Sequence, residues 1–409
     1  MRIPAADRGG ADRRRTLAAI GGACLILQLS AAAFLPRTLE TPNASTAIAR
    51  ALANTGRFVD PPTGKVAFHL PGEALLLAAA FRFLPASTWP YVHVPVTLLL
   101  VTCVADVAFA VGGPALALSA GAITALEPFV VAHGRVWDDT FLAAALEWLV
   151  FAILLRCLAR PQSTSAFIWI AAAACAAGAA LTRAQSQFEL ALAGAAAIVL
   201  SSLRPIRLLG CAVIAGVVIG LGAWGARNVV ALGHFFIGST NDGKTFNDST
   251  SARVRATIID FGQVIGASQD FVEAGDEVEV DRRFSRLAWT YISTHPVEFI
   301  KTAAFKIAVS LLGIDPSRPV AAPRNVVALG SSILLLIAGT SGLWWLCRRA
   351  LRAPVQTLLA ALVVANVVIT LGLLAVGPIG LRYRLNLTMF LCLGTGATVV
   401  RLRPRLTLR

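Results

Sequence analysis

Apolar runs of membrane-spanning length fill most of this 409-residue chain and limit the folds it can adopt. A hydrocarbon core of about 30 Å requires roughly 17–25 residues of helix. Hydrophobic residues make up 56% of the chain and charged residues only 14%, whereas charged residues form about 25% of soluble domains. We therefore predict an all-α polytopic membrane protein with about ten transmembrane helices. The predicted spans are Leu17–Pro36, Tyr91–Val111, Pro114–Ala132, Thr140–Leu158, Ala166–Leu181, Phe188–Leu203, Leu208–Val230, Asn325–Cys347, Val355–Val376 and Leu385–Val400.

Arginine clusters between these runs predict how the chain is oriented. Basic residues favour the cytoplasmic side, and if every cluster faces that side, an even number of spans separates each cluster from the next. This condition holds only if two shorter runs, Pro71–Leu84 and Phe299–Ile314, stay on the outer face as juxtamembrane helices. The clusters are Arg13, Arg14 and Arg15; Arg156 and Arg160; Arg204 and Arg207; Arg348, Arg349 and Arg352; and Arg401, Arg403, Arg405 and Arg409.

This orientation places both termini in the cytoplasm and the long loops outside the cell membrane. We predict one domain over residues 1–409, with outer loops at 37–90 (juxtamembrane helices) and 231–324 (a lid or acceptor region). Surface helices are expected near Ala47–Thr55 and Glu279–Ser293. The net charge is +14, but most of the arginines lie beside helix ends, where they contact anionic lipid headgroups. Membrane lipids are therefore expected partners and nucleic acid is not.

Two adjacent carboxylates, Asp138 and Asp139, lie at the start of a predicted span, close to His133 and Arg135. One acid at such a position is typical of a helix cap, and that interpretation stays open for each acid taken singly. Two acids with a histidine and an arginine are more than one cap needs. Ionisable groups at membrane depth indicate a functional site.

Two arginines on the outer side depart from the positive-inside pattern. Arg382 and Arg384 flank Tyr383 just before the last span. Because the planar guanidinium matches phosphate oxygens, this turn is a candidate phosphate site, and Arg183 and Arg227 near other outer helix ends join it. The alternative is a pair of arginines that snorkel to the interface beside an aromatic anchor.

These segments together resemble the GT-C superfamily of integral membrane glycosyltransferases, which includes protein O-mannosyltransferases and the lipid A aminoarabinose transferase. The matching stretches follow the expected order over nearly the whole chain: ALANTGRF, PGEALLLAAAFRFL, DDTFLAAALEWLVFAILLR, GAALTRAQ, GAWGARNVVALGHFFIGSTNDGKTFN, THPVEFIKTAAFKI and RYRLNLTMFL.

The resemblance implies transfer of a sugar from a polyprenyl-phosphate donor to a lipid, glycan or protein acceptor at the extracytoplasmic face. It implies a catalytic acid at a helix start, which is Asp139 with Asp138 beside it. A second acid is expected in the first outer loop, where Thr41 and Ser45 occupy the matching positions and Glu40 is the nearest acid. A leaving lipid phosphate needs fixed cations, for which the candidates are Arg382, Arg384, Arg183 and Lys306, with Tyr383. The acceptor or lid residues would be His69, His133, Arg135 and Asn241.

Other classes of membrane protein remain open. A transporter or flippase for a lipid-linked sugar would use the same charges to line a route, although the chain shows no convincing internal repeat. A catalytically silent accessory protein would fit the missing first-loop acid. No group of residues has the spacing of a metal site. The sequence therefore implies no required cofactor, and it leaves a divalent metal at the acids as an open question.

Overall fold

The computed structural model describes residues 6–34, 44–134, 136–161, 165–250, 276–314, 323–348, 353–377 and 381–406. Over these residues the chain forms helices and turns, without a strand. A π-helical turn covers Leu335–Gly339, and 3₁₀ turns cover Ala86–Tyr91 and Leu381–Arg384. The α-helices are α1 (Ala6–Phe34), α2 (Ala44–Thr55), α3 (Pro71–Phe83), α4 (His93–Gly112), α5 (Pro114–Leu126), α6 (Pro128–His133), α7 (Asp139–Ala159), α8 (Ala166–Ala180), α9 (Ala184–Leu200), α10 (Arg204–Leu232), α11 (Asp242–Thr250), α12 (Glu277–Thr294), α13 (Pro296–Leu312), α14 (Pro323–Leu334), α15 (Thr340–Cys347), α16 (Pro354–Val376) and α17 (Leu385–Leu406).

The helices confirm the prediction of an all-α polytopic membrane protein. Three apolar helices shorter than a full span, α5, α8 and α9, occupy the positions of three predicted spans, and α1 contains most of the first one. Among the described residues, six segments are long and apolar enough to cross a membrane: Ala86–Gly112, Asp139–Ala159, Arg204–Leu232, Asn325–Cys347, Pro354–Val376 and Arg382–Leu402.

Proline and an acid break one predicted span into two helices. The run Pro114–Ala132, predicted as a single span, ends as helix α5 at Leu126 and resumes as α6 at Pro128. Pro128 has no N–H to donate and is favoured at a helix start. Glu127 between them is extended, and its side chain accepts a hydrogen bond from the Val130 N–H. The two short runs predicted to be juxtamembrane are α3 and α13, with 13 and 17 residues.

Ion pairs bring two arginine clusters to one end of the bundle. Arg13 Nε on α1 lies 2.6 Å from Asp106 on α4, and Arg156 Nη2 on α7 lies 3.1 Å from the same carboxylate. We call this the basic end. Because α7 runs from Asp139 to Arg156, its acidic start lies at the opposite end, which we call the polar end. The two clusters therefore share one face of the bundle, as the even number of spans between them predicts.

Loops and short helices cover the polar end of the bundle. Arg227 near the end of α10 donates to the carbonyls of Val66 and Phe58, at 2.7 and 3.1 Å. Asn228 Nδ2 donates to the Phe236 carbonyl at 2.6 Å. Arg227, predicted to contribute to a phosphate site, is therefore a structural residue that fixes the 56–70 loop, since buried carbonyls need donors.

Glycines allow α15 and α17 to pack backbone against backbone, and this contact supports a stability prediction. A Cβ added at Gly342 would overlap the carbonyl oxygen of Gly394. Because overpacking typically costs about 1–3 kcal/mol, we expect Gly342→Val to lower the unfolding temperature of the purified protein in detergent. Gly222→Val on α10 is the control, since a Cβ there meets no atom within 4 Å. Equal destabilisation by both variants would contradict close packing of this helix pair.

Candidate functional site

The start of α7 places two carboxylates at the polar end. Trp137 is buried at 5% exposure and donates from Nε1 to the Trp89 carbonyl at 3.3 Å, which anchors the chain just before the helix. Asp138 then caps α7 by accepting the Thr140 N–H at 2.7 Å. The capping interpretation is therefore confirmed for Asp138, whereas the carboxylate of Asp139 is left to face other groups.

Arg183 pairs with the second of these acids. It precedes α9, and its Nη1 lies 3.1 Å from Asp139 Oδ1 and also donates to the Thr140 hydroxyl. The turn that carries it is held against α3, because the Gly72 N–H donates to the Leu181 carbonyl at 2.8 Å. The Arg183 side chain is 10% exposed and that of Asp139 is 34% exposed. The carboxylate is thus the more accessible partner.

The ring of Tyr383 contacts two guanidinium groups. The Cζ atoms of Arg183 and Arg382 are 5.0 and 5.1 Å from the centre of the Tyr383 ring, within the range of a cation–π contact. Arg382 Nη2 also donates to the Tyr383 hydroxyl at 3.1 Å, and the Arg382 side chain is exposed. The structure thus joins the turn before α17 to the start of α7 through Arg183.

Electrostatic effects connect Arg382 with Asp138 and His69. Burial alone would raise the pKa of the Asp138 carboxyl, but the guanidiniums of Arg382 and Arg183 lower the pKa below its ordinary value. For His69, burial and the nearby Arg382 lower the pKa to about 4. At neutral pH the site therefore combines an ionised Asp138, two guanidiniums and a neutral imidazole. We call Asp138, Asp139, Arg183, Arg382 and Tyr383 the acid–arginine cluster.

Two other predicted phosphate ligands bond elsewhere. Arg384 is buried, donating to the Leu311 carbonyl and, at 2.8 Å, to the Ser332 hydroxyl. A 3₁₀ helix has three residues per turn, so Arg382 and Arg384 point in different directions from the same turn. The ammonium of Lys306 donates to the carbonyls of Ser249 and Gly377, both at 2.8 Å, and burial lowers its pKa to about 8. Both side chains hold segments of the polar end together.

Four other predicted site residues do not belong to the acid–arginine cluster. His133 ends α6, and its side chain lies outside the described part of the structure. Glu40 and Arg135 lie outside the described residues. Asn241 precedes α11 and donates its N–H to the Ser239 hydroxyl at 3.2 Å, a contact within its own loop.

The structure shows a buried carboxylate–histidine contact that the sequence analysis does not assign to the site. Glu73 on α3 and His93 on α4 lie 2.7 Å apart, between Oε1 and Nε2, and neither side chain exceeds 2% exposure. The pair connects the short helix α3 to α4 of the bundle. The signal in the sequence was an ionisable residue inside an apolar run, but its partner lies 20 positions away.

A narrow crevice extends from the acid–arginine cluster into the bundle. It runs between α7, α9 and α17, and its polar lining residues are Thr140, Glu147, Arg183, Gln185, Ser186, Arg382 and Asn386. Arg183 and Arg382 belong to both the cluster and the crevice. The crevice has a volume of about 10 Å³, which is room for about one water molecule.

Comparison with known proteins identifies the fold. The chain matches no protein-family model and no curated protein. Among solved structures, it is similar to the archaeal oligosaccharyltransferase AglB from Archaeoglobus fulgidus, determined in complex with an inhibitory peptide and a dolichol-phosphate. The TM-score is 0.57 at 12% identity, over 96% of this chain and 51% of that one. The chain has a GT-C fold.

This likeness confirms the fold-level resemblance predicted from the sequence. The GT-C fold here spans about half the length of the archaeal protein, so the similarity concerns the membrane bundle and not the whole enzyme. At this level of identity, fold alone does not establish activity. The chemistry must therefore be argued from the acid–arginine cluster itself.

Proposed function

We propose that this protein transfers a sugar from a polyprenyl-phosphate donor to an acceptor at the extracytoplasmic face of the cell membrane. The observation that carries the proposal is the acid–arginine cluster, in which Arg382 and Arg183 flank Tyr383 beside two carboxylates. Guanidiniums suit phosphate oxygens, and a nearby carboxylate suits proton removal from a hydroxyl. The GT-C fold supports the same reaction class.

The residues of the cluster would have different roles in the reaction. Arg382, which is exposed, and the remaining donors of Arg183 would bind the phosphate and stabilise the charge that develops on its leaving oxygen. Asp138 accepts the Thr140 N–H, so it is the weaker base and the fixed negative charge beside the arginines. Asp139, whose side chain is 34% exposed, would take the proton.

The reaction is a displacement at the anomeric carbon. The acceptor oxygen forms a bond to this carbon while the bond from the carbon to the phosphate oxygen breaks, and the lipid phosphate leaves with the electron pair. Asp139 receives the acceptor proton. Because acceptor and leaving group lie on opposite faces of the sugar, the configuration inverts, as for other sugar displacements assisted by one base.

A groove between α3 and α4 supports a lipid substrate. It has a volume of about 540 Å³ and an almost entirely apolar lining that includes Leu76, Ala80, Phe83, Val92 and Val96. The same two helices carry the Glu73–His93 pair. A groove of this kind would accept part of a hydrocarbon chain whose phosphate lies at the cluster.

Turnover by the purified protein tests the proposal. The full chain in detergent would be supplied with polyprenyl-phosphate hexoses, pentoses and amino sugars, and release of polyprenyl phosphate would be measured with and without added lipid and glycan acceptors. We expect release that depends on both donor and acceptor. Movement of intact donor across liposomes without any release would instead support the transporter alternative.

Labelling of single cysteines tests the side of the membrane. In a cysteine-free background, Thr63→Cys and Ser293→Cys at the polar end are expected to react with a membrane-impermeant maleimide in intact cells or spheroplasts. Arg160→Cys at the basic end is the control and is expected to react only after the membrane is opened. The reverse pattern would contradict an extracytoplasmic site.

A further inference from the structure

His69, near the end of the 56–70 loop, presents an imidazole beside the acid–arginine cluster. The side chain is half-buried, its ring packs edge-on against the Phe68 ring with centroids 4.8 Å apart, and it makes no hydrogen bond to the described residues. Since burial and the nearby Arg382 lower its pKa to about 4, the ring is neutral at neutral pH. One nitrogen of a neutral imidazole accepts a hydrogen bond and the other donates one, so both are available to a ligand.

Hydrogen bonds from three other segments fix the end of this loop. Arg227 on α10 donates to the Val66 carbonyl at 2.7 Å, and Glu277 Oε1 at the start of α12 accepts the Val66 N–H at 2.9 Å. The Ser239 hydroxyl donates to the Phe68 carbonyl at 2.6 Å. The backbone that carries the imidazole is therefore set by contacts from outside the loop, as a binding group on a rigid support requires.

The residues that follow His69 pack against the turn that carries Arg183. Leu70 belongs to a small apolar cluster against which Leu181 packs, and the Gly72 N–H donates to the Leu181 carbonyl at 2.8 Å. The end of the loop therefore lies next to the carboxylate–arginine pair of the cluster. The effect of the second arginine of the cluster on the imidazole agrees with this position.

The other groups of the proposed site leave the acceptor with one contact. Arg183 and Arg382 only donate hydrogen bonds and suit the phosphate oxygens of the donor, whereas the carboxylate of Asp139 accepts the reacting hydroxyl. One contact does not fix the orientation of a molecule, and orientation contributes much of the rate of a reaction between two bound substrates. His69 supplies a second contact for the acceptor.

We propose that His69 binds the acceptor through a hydroxyl group next to the reacting one, and that Glu277 positions the imidazole by holding the loop. The inference rests on the proposed function, in which Asp139 takes the proton of the reacting hydroxyl. Two protein groups that bind two hydroxyls define the class of acceptor. It is a polyhydroxyl compound, such as a sugar or a glycerol-based headgroup, and not an alcohol with a single hydroxyl. No bond to His69 forms or breaks, and its role is recognition.

Steady-state kinetics with matched acceptors test the role of His69. The full chain in lipid nanodiscs would receive each polyprenyl-phosphate sugar of the turnover assay. The acceptors are octyl glucoside, octyl mannoside, octyl galactoside and octyl glycerol, the monodeoxy forms of each, and octanol. We expect the wild type to use at least one polyhydroxyl acceptor and to discriminate against the form that lacks the adjacent hydroxyl.

His69→Phe keeps the ring contact with Phe68 but removes both hydrogen-bonding nitrogens. It should raise KM for the polyhydroxyl acceptor by about 3- to 10-fold, the contribution of one neutral hydrogen bond, and cancel the discrimination against the deoxy form. KM for the donor and binding of polyprenyl phosphate should not change. His69→Gln, whose amide accepts and donates, should restore part of the preference. His295→Phe is the matched control and should leave both KM values unchanged, because that imidazole also packs on an aromatic ring, Tyr291 at 4.9 Å, but lies outside the 56–70 loop.

Glu277→Gln tests how the loop is held. The amide keeps one oxygen as an acceptor but cannot accept both N–H groups that the carboxylate receives from Val66 and Ala67, at 2.9 and 3.4 Å. A smaller rise in KM for the acceptor than that of His69→Phe is expected, again with unchanged donor binding. Glu279→Gln, at an exposed acid of the same helix, is the control and should behave as the wild type.

The outcomes separate the inference from the proposed function. If His69→Phe leaves KM for the acceptor and the discrimination unchanged, raises KM for the donor instead, or acts no more than His295→Phe, then His69 is not the acceptor ligand. Equal use of octanol and the polyhydroxyl acceptors would also overturn the inference. Turnover that still depends on Asp139 would in these cases leave the proposed function standing. If no pair of donor and acceptor supports turnover, the proposed function fails, and the inference fails with it.

Discussion

Asp139→Asn is expected to lower kcat for sugar transfer by about 10²- to 10⁴-fold, the usual contribution of a positioned general base. The amide oxygen of asparagine can still accept from Arg183 Nη1, which lies 3.1 Å from Asp139 Oδ1 in the wild type. The local geometry should therefore survive while the proton acceptor is lost. Release of polyprenyl phosphate under saturating donor, together with donor binding, measures the two effects separately, and we expect donor binding to change little.

Asp138→Asn is the matched control for this prediction. Asparagine is as good an N-cap as aspartate, so the hydrogen bond from the Thr140 N–H at 2.7 Å should persist. The variant removes the negative charge that faces Arg382 and Arg183 but leaves Asp139 in place. A smaller loss than that of Asp139→Asn is expected. A larger loss would exchange the roles assigned to the two acids, and normal turnover by Asp139→Asn would exclude it as the base.

The spans and the position of the acid–arginine cluster could be predicted because they follow from patterns along the chain. Asp138 and Asp139 lie at the start of an apolar run, and Arg382 lies just before another. An even number of spans between arginine clusters places such positions at the same end of the bundle. The sequence therefore indicated which end carries the site before any packing was known.

The direction of each side chain could not be predicted in the same way. Arg384 and Lys306 carry the charge a phosphate site needs, but they bond to carbonyl groups of Leu311, Ser249 and Gly377. The positions of charged residues along the chain do not show which backbone carbonyls, from distant loops, will lie beside them in the fold. For the same reason Arg227 was assigned to the phosphate site, although it fixes the 56–70 loop.

The contacts of the acids inside the helices could not be predicted from sequence patterns either. Glu147 and Glu189 each appear as one acid within an apolar run, and only the packing of α7, α9 and α17 brings them to a common amide at Asn386. Small residues such as Ala143 and Ala144 leave room for the crevice beside them. The composition of a single helix does not show which of its faces packs against which neighbouring helix.

Arg382→Ala is expected to reduce kcat/KM for a polyprenyl-phosphate sugar by about 10²- to 10³-fold, as for removal of one donor from an anion-stabilising site. Its guanidinium is exposed and held beside Tyr383, with Cζ 5.1 Å from the ring centre. Asp138 and Tyr383 would keep their positions without it, but the phosphate would lose a bidentate partner. Donor binding should therefore weaken together with turnover.

Arg382→Lys separates charge from shape at this position. Lysine keeps the positive charge but lacks the planar fork that binds two phosphate oxygens and stacks on an aromatic ring, so a partial loss of kcat/KM is expected, smaller than that of Arg382→Ala. Arg57→Ala is the control, because Arg57 is an exposed arginine of the same polar end outside the acid–arginine cluster. If Arg57→Ala and Arg382→Ala weaken donor use equally, the effect is the general attraction of a basic surface for an anionic lipid, and Arg382 is not a specific phosphate ligand.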